Sequence, residues 1–517
     1  MKLLLAVTEL LVALALVPLA VDWRSPLLAA VRPWALMGLI GVPIGLIVAE
    51  IRTLRVLSTR WRKDGRGFRT SPRRKPGSRA LDSGFRRGDG DRAQVSARIS
   101  GRISGTGIPG SGSGAGLPVH NDRRDACPTK ALNTAPYLRN GILSTLALAV
   151  AVLVLTATLA AEVRFHWARH QVLQADPGRL ERLGRHMIVG YSDLAEAREL
   201  VRLRAIAGVF LSTRNVRGKS IDRIRQEIHS LQNLRREQGL PPLWIATDQE
   251  GGEVSRLSPP LTRLPAISKV VERCSDVTEL EHAARLFGGT QGRELADLGV
   301  NLNFAPVLDI NYEVMSSNDR FTRIFERAIS RDPAVVAEVA AWYCSALEEE
   351  GVRCTLKHFP GLGRVVEDTH LSCASLTTSV TELTKTDWVP FRKLMRQTSA
   401  FTMLGHVRLT AIDSDRPAST SPAVIAGILR GEWKHDGVLI TDDFSMHAVY
   451  RSSDGIDNGS IAALNSGVDL ILISWDSDQY YRVMHALLKA DENGKLDREA
   501  LHRSDGRLAV AVQFIRQ

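Results

Sequence analysis

The rhythm of apolar and polar positions changes near residue 186. From there, apolar runs of strand length recur: HMIVGY (186–191), GVFLS (208–212), LWIATD (243–248), VNLNFAP (300–306), VRCTLKHF (352–359), AFTMLGHV (400–407), GVLITDDF (437–444) and GVDLILIS (467–474). Each is nearly continuous in apolar character, the pattern of a strand covered on both faces. Helix-like stretches separate them, as at 282–299 and 332–351. Glycines at 299, 351, 437 and 467 stand where a left-handed helix stop would precede the next strand. Alternating units of this kind predict an α/β fold with a parallel sheet, and eight of them over about 330 residues predict a (β/α)8 barrel of TIM type.

The runs share a second feature: several begin apolar and end polar. The ends carry Asp248, Lys357 with His358, His406, Asp442 with Asp443, and Asn303 with Asp309 just beyond. In such barrels the C-terminal ends of the strands form one mouth, so these side chains are expected to converge.

Upstream of residue 170 the pattern is different. Residues 141–161, GILSTLALAVAVLVLTATLAA, carry no charge and are long enough for a transmembrane helix. Residues 3–21 carry only Glu9, and 33–49 carry no charge. They predict a transmembrane hairpin over 1–50, turning at Val21-Asp22-Trp23-Arg24, although the first segment could instead be a signal peptide. Between these regions, 51–140 is rich in Gly, Ser and Arg and poor in aromatics, which predicts a disordered basic linker or insertion.

The charge of the chain then reads differently. The net value is +11, but the linker alone holds about +14 and the rest is near −3. No folded basic face with aromatic stacking partners is indicated, so no nucleic-acid partner is expected. Lys and Arg cluster between Arg52 and Arg69, which places that side in the cytoplasm by the positive-inside rule. The helix at 141–161 would then cross outward and leave residues 170–517 outside. Five cysteines, at 127, 274, 344, 354 and 373, match no zinc spacing, and the sequence alone selects no pairing.

The candidate chemistry centres on LKHFPGLGRVVEDTH, 356–370. A metal site is not expected, because Lys357, Arg256 and Arg327 bring positive charge to the same mouth. Hydroxyl and carbonyl groups of a sugar fit it better. Retaining glycosidic hydrolysis needs a carboxylate nucleophile and an acid/base. Asp442 is the best nucleophile, although the adjacent Asp443 leaves the choice open on physical grounds. No Glu stands at an expected strand end to act as the acid. His370 can serve, with Asp368 two residues away to hold its tautomer and stabilise its protonated form.

The segments ATDQEGGEVSRL (246–257), NFAPVLDI (303–310), FERAISRDP (325–333), KHFPGLGRVVEDTH (357–370), GHVRLTAID (405–413) and LITDDFSM (439–446) together resemble glycoside hydrolase family 3, in its β-N-acetylglucosaminidase branch. The resemblance covers roughly 190–475 and none of the first 170 residues. It implies a retaining β-N-acetylhexosaminidase that removes terminal β-linked N-acetylglucosamine from peptidoglycan-type fragments. Asp442 would be the nucleophile, and His370 the acid/base oriented by Asp368. Asp248, Arg256, Arg327, Lys357 and His358 would hold the sugar, with His406 a further mouth residue. No cofactor or metal is implied. Another family 3 β-glycosidase, a phosphorylase, or a non-catalytic membrane-anchored sugar-binding barrel are the alternatives. The family usually has His where this chain has Leu362 and Arg where it has Glu253. With the hairpin, the expected location is the bacterial inner membrane with a periplasmic catalytic domain.

Overall fold

The computed structural model describes residues 2–65, 135–317 and 319–515. Most of the predicted basic linker lies outside the described residues. The chain divides into two compact units, one of residues 1–11 and 46–149, the other of 12–45 and 150–517. In the first unit Glu50 and Ser144 are buried. The second unit holds the chemistry.

Eight parallel strands form one sheet: β1 (Met187–Gly190), β2 (Gly208–Leu211), β3 (Trp244–Thr247), β4 (Leu302–Asn303), β5 (Thr355–Phe359), β6 (Phe401–Leu404), β7 (Leu439–Asp443) and β8 (Leu470–Ile473). Their order is β4-β3-β2-β1-β8-β7-β6-β5. The two ends of the sheet approach each other through isolated parallel bridges, Leu302 to Arg353 and Val307 to Lys357, so the sheet is a nearly closed barrel. Every predicted run contains one of these strands. β4 is the shortest, and beyond it the chain stays beside β5, where the Thr355 N–H donates to the Ala305 carbonyl at 2.8 Å.

Alternation along the strands sorts side chains between two cores. In β1, Ile188 points into the barrel with Phe210, Trp244, Phe304, Met403, Ile440 and Leu472. Its neighbours Met187 and Val189 pack outward against the helices. The final helix (Arg498–Val512) and the turn after it bring Leu508, Ala511, Val512 and Ile515 onto the inner core, which fills the end of the barrel opposite the strand C-termini. Chemistry is therefore confined to the other end.

Three of the four predicted glycine stops are left-handed: Gly299 (φ 91°), Gly351 (φ 87°) and Gly467 (φ 104°). Gly437 is not. Lys434 takes the positive φ (54°) after the helix Ala423–Glu432, and Gly437 instead lies against the His435 ring, where a Cβ would fall 2.6 Å from Cε1.

The N-terminal helices are α1 (Lys2–Val21), α2 (Arg32–Gly65) and α3 (Ala135–Leu173). Both α2 and α3 run well past the apolar segments that predict them. Segments Leu28–Val56 and Arg139–Leu173 are long and apolar enough to cross a membrane, and Val7–Val21 is a shorter apolar helix. In the second unit Ala20, Trp23, Leu39 and Val154 form a small cluster of their own.

Candidate active site

The polar strand ends meet at the mouth. β3 delivers Asp248, and the chain then bends into a short antiparallel pair, Gln249–Gly251 with Val254–Ser255. This bend turns Glu250 inward. Lys357, at the centre of β5, donates from Nζ to Asp248 Oδ1 at 2.7 Å and lies 2.6 Å from Glu250 Oε1. Arg327 completes the cluster, with Nε 2.9 Å from Glu250 Oε2 and Nη2 2.7 Å from Oε1. This is a two-pronged, charge-assisted pair. Burial pushes the Glu250 carboxyl up, but Arg327 and Lys357 outweigh it and hold it below its ordinary 4.5. Burial pulls the Lys357 ammonium down, and Asp248 and Glu250 more than reverse that. Both cations stay charged.

Glu250 is the principal residue that sequence reading misses. It stands two positions beyond Asp248, in a Glu-Gly-Gly run that reads as a turn. The available signal was an acidic residue following Asp248 in a barrel loop.

His358 is held from below. Asp309 Oδ2 lies 2.7 Å from its Nδ1, and Asp309 Oδ1 accepts the Leu362 N–H at 2.7 Å. The His358 Nε2 stands 3.4 Å from Arg327 Nη2. Asp309 thus ties β5 to the loop of the Gly-Leu-Gly motif. The two glycines of that motif have different reasons. Gly361 adopts φ 110°, and at Gly363 a Cβ would sit 1.8 Å from the Ile310 carbonyl oxygen. Leu362, at the position where the family usually has His, is buried. Glu253 is exposed and pairs with Arg263 at 3.2 Å.

The same loop presents His370. Its Nδ1 lies 3.1 Å from Asp368 Oδ1 and 3.3 Å from Thr322 Oγ1, while its side chain remains 40% exposed. Asp368 is buried and also accepts from the Arg320 and Phe321 N–H groups and the Thr322 hydroxyl. Burial raises the Asp368 carboxyl, and the hydrogen bonds from His370 lead the effects that bring it well below the usual carboxylate range.

Asp442 is the penultimate residue of β7 and is half-buried. Its Oδ1 accepts the Asp443 N–H at 2.8 Å. Burial would raise its carboxyl, but His358, His406 and His370 together hold it below the ordinary carboxylate value. Asp443 points elsewhere. Its two oxygens take the N–H groups of Ser445, Ser474 and Trp475 and the Ser474 hydroxyl. That division of labour separates two adjacent carboxylates between which physical reading of the sequence left the choice open.

Two predicted residues sit differently from expectation. His406 is fully buried, with Nδ1 2.7 Å from Ser419 Oγ and Nε2 3.0 Å from the Asp443 carbonyl. Both ring nitrogens are engaged inside the protein, and burial lowers its pKa. It underpins the end of β7 rather than meeting a ligand through its ring nitrogens. Arg256 meets Asp248 through its backbone N–H at 3.1 Å, and its side chain is exposed rather than turned into the cluster. Among the described residues, no group of His, Cys, Asp and Glu is gathered in a way that could hold a metal ion.

The depressed carboxyls predict a pH dependence of stability. A carboxyl whose folded pKa is lowered contributes fully above its unfolded value, and the contribution is lost as pH falls towards the folded one. The urea midpoint is therefore expected to fall as pH drops from about 6 to about 3, and Glu250→Gln should flatten that slope. Equilibrium unfolding at each pH measures it.

The mouth thus sets a buried cation–carboxylate cradle beside the Asp442 carboxylate and His370. Residues 179–511 match the model of the glycosyl hydrolase family 3 N-terminal domain, and the chain belongs to that family and is a glycoside hydrolase. A curated relative from Nitrosomonas eutropha, named Beta-hexosaminidase, is 34% identical over 286 residues, 54% of this chain and 77% of its own. Another of the same name, from Thioalkalivibrio sulfidiphilus, is 35% identical over 318 residues, 60% of this chain and 85% of its own. Among solved structures, a family 3 beta-N-acetylglucosaminidase from Paenibacillus sp. str. FPU-7 is similar at TM-score 0.57 and 31% identity, covering 65% of this chain and 62% of that one. A family 3 member from Mycobacterium smegmatis reaches TM-score 0.57 at 29% identity, over 66% of this chain and 98% of that one.

Proposed function

We propose that this enzyme is a retaining β-N-acetylhexosaminidase that removes terminal β-linked N-acetylglucosamine, of the kind found in peptidoglycan fragments. The observation that carries the mechanism is the division between two adjacent carboxylates: Asp443 is taken up by the Ser474 and Trp475 N–H groups, while Asp442 faces the mouth histidines, which draw its carboxyl below the ordinary value. The names of the relatives support the amino-sugar class. The nearly closed sheet reads as a TIM-type (β/α)8 barrel with the sugar seated at the strand C-termini.

In the first step, an Asp442 oxygen bonds to the anomeric carbon as the bond to the leaving oxygen breaks. His370 gives its Nε2 proton to that oxygen. In the second step, His370 takes a proton from water, the water oxygen bonds to the anomeric carbon, and Asp442 leaves. Asp368 is a positioning residue: by accepting from Nδ1–H it leaves Nε2 to exchange the proton. Asp248, Lys357, Arg327 and His358 hold the sugar's polar groups, and Glu250 keeps the two cations in place. His406 fixes the end of β7.

His370→Ala is expected to lower kcat about 10²- to 10⁴-fold on a substrate with a poor leaving group. On a 2,4-dinitrophenyl glycoside, which departs without a proton, the loss in glycosylation should largely vanish. Asp368→Asn should cost less and should move the pH profile, which a purely structural role would not do. The substrate class is tested by comparing aryl β-N-acetylglucosaminide with aryl β-glucoside on the full-length protein. Preference for the glucoside would discard the amino sugar and keep the mechanism.

The apolar helices support a membrane anchor. The basic run from Arg52 supports a cytoplasmic side for the end of α2, with the barrel outside. The disulfide between Cys344 and Cys354, whose Cα atoms are 5.5 Å apart, fits an oxidising compartment. Alkaline phosphatase fused after Gln517 should be active in whole cells, and activity confined to a cytoplasmic reporter would reverse this topology.

A further inference from the structure

We propose that the catalytic mouth faces the bilayer, and that its substrate is an amino-sugar glycoconjugate whose aglycone is anchored in that same membrane. This rests on the hexosaminidase and membrane-anchor reading above and adds the direction from which the substrate arrives.

The turn between α1 and α2 is fastened to the barrel at its mouth. Arg24 Nη1 donates to Asp478 at 2.8 Å, and Arg32 Nη2 donates to Asp476 at 2.7 Å, with a further contact from Arg32 to Asp478. Gln479 donates to the Arg24 carbonyl at 2.9 Å, and Trp475 Nε1 donates to the Pro26 carbonyl at 3.2 Å. Asp22 pairs with Arg451 at 2.7 Å. The barrel partners all lie just beyond the C-terminal ends of β7 and β8, on the rim that carries Asp442.

The path of α3 sets the axis. The helix after β8, Asp478–Glu492, necessarily runs from the mouth back towards the closed end. Alongside it, α3 leaves its apolar stretch at Ala161. Arg24 lies over the Phe165 ring at 3.7 Å, Phe165 meets Tyr481 at 6.0 Å, and Trp167 meets His485 at 4.8 Å and Lys489 Nζ at 5.0 Å. The two helices therefore advance in the same direction, so residues 150–161 of α3, which belong to the same unit as the barrel, lie on its mouth side.

A second observation agrees. Four large apolar side chains on the mouth loops are left in the open: Met315 (72% exposed), Phe321 (57%), Val366 (55%) and Trp475 (53%). An apolar rim around a polar pocket suits a lipid surface. A terminal sugar bound at the strand ends directs its aglycone out through this rim, and hence towards the bilayer.

The test uses the full-length enzyme in phosphatidylethanolamine–phosphatidylglycerol vesicles. Octadecyl β-N-acetylglucosaminide in the same vesicles is compared with soluble 4-nitrophenyl β-N-acetylglucosaminide. The double variant Arg24→Glu/Arg32→Glu should lose at least about tenfold on the anchored substrate, because the effective concentration gained on one surface requires the right geometry. It should stay within about twofold on the soluble substrate. Orientation is read without catalysis. A fluorophore on Met315→Cys should be quenched by headgroup nitroxides, and one on Asn493→Cys, at the far end of the Asp478–Glu492 helix, should not. Equal or reversed quenching overturns the proposal. Soluble turnover with no dependence of the anchored substrate on Arg24 and Arg32 also overturns it, while leaving the hexosaminidase reading intact. Turnover of neither substrate defeats both.

Discussion

Asp442→Asn is expected to reduce kcat on an aryl β-N-acetylglucosaminide by on the order of 10⁴-fold or more, with the fold and the binding of product unchanged. The magnitude follows from what the carboxylate does. It forms the bond that divides the reaction into two steps, and neighbouring groups cannot substitute for it. Asp443 is adjacent in sequence, but its oxygens are committed to the 474–475 backbone and the Ser474 hydroxyl. His358, His406 and His370 draw the Asp442 carboxyl below its ordinary value, and the amide variant removes both the nucleophile and the negative charge facing these rings. Added azide should restore part of the activity with a fluoride or dinitrophenyl leaving group, giving a product of inverted configuration. Steady-state kinetics and the anomer of that product measure both. A variant that kept one-tenth of the activity would remove Asp442 from the nucleophile's role.

The second large effect falls on stability. Glu250→Ala should destabilise the barrel by about 3–5 kcal/mol, because it leaves Lys357 and Arg327 buried against each other. Lys357 would retain Asp248, but Arg327 would lose both prongs of its carboxylate pair. Glu250→Gln keeps the shape and an acceptor oxygen and should cost less. Urea unfolding at neutral pH gives the difference. If Glu250→Ala unfolded like the wild type, the cradle would not be holding its cations in the way described.

The barrel was readable from sequence because its strands are covered on both faces. Burial on two sides writes a strand as an unbroken apolar run, and the mouth writes a polar residue at its end. The same logic brought out Asp248, Lys357, His358 and Asp442. It failed where partnership, not residue type, decides the role. Glu250 meets Arg327 and Lys357 across 77 and 107 positions of sequence, and a Glu-Gly-Gly run gives no hint of burial. His406 looked like a mouth residue because position along a strand does not reveal whether Ser419 and the Asp443 carbonyl have already taken its nitrogens. Arg256, expected to help hold the sugar, meets Asp248 only through its backbone N–H and leaves its side chain exposed. The fastening of Arg32 to Asp476 joins opposite ends of the chain, and local pattern cannot show it.

The most direct measurement is to trap the glycosyl-enzyme. A slow-turnover fluorinated N-acetylglucosaminyl donor, incubated with the full-length enzyme and followed by peptide mass spectrometry, should leave one sugar on the peptide that contains Asp442, and none after Asp442→Asn. A sugar found instead on Asp443, Asp248 or Glu250, or steady hydrolysis with inversion and no covalent adduct, would contradict the account.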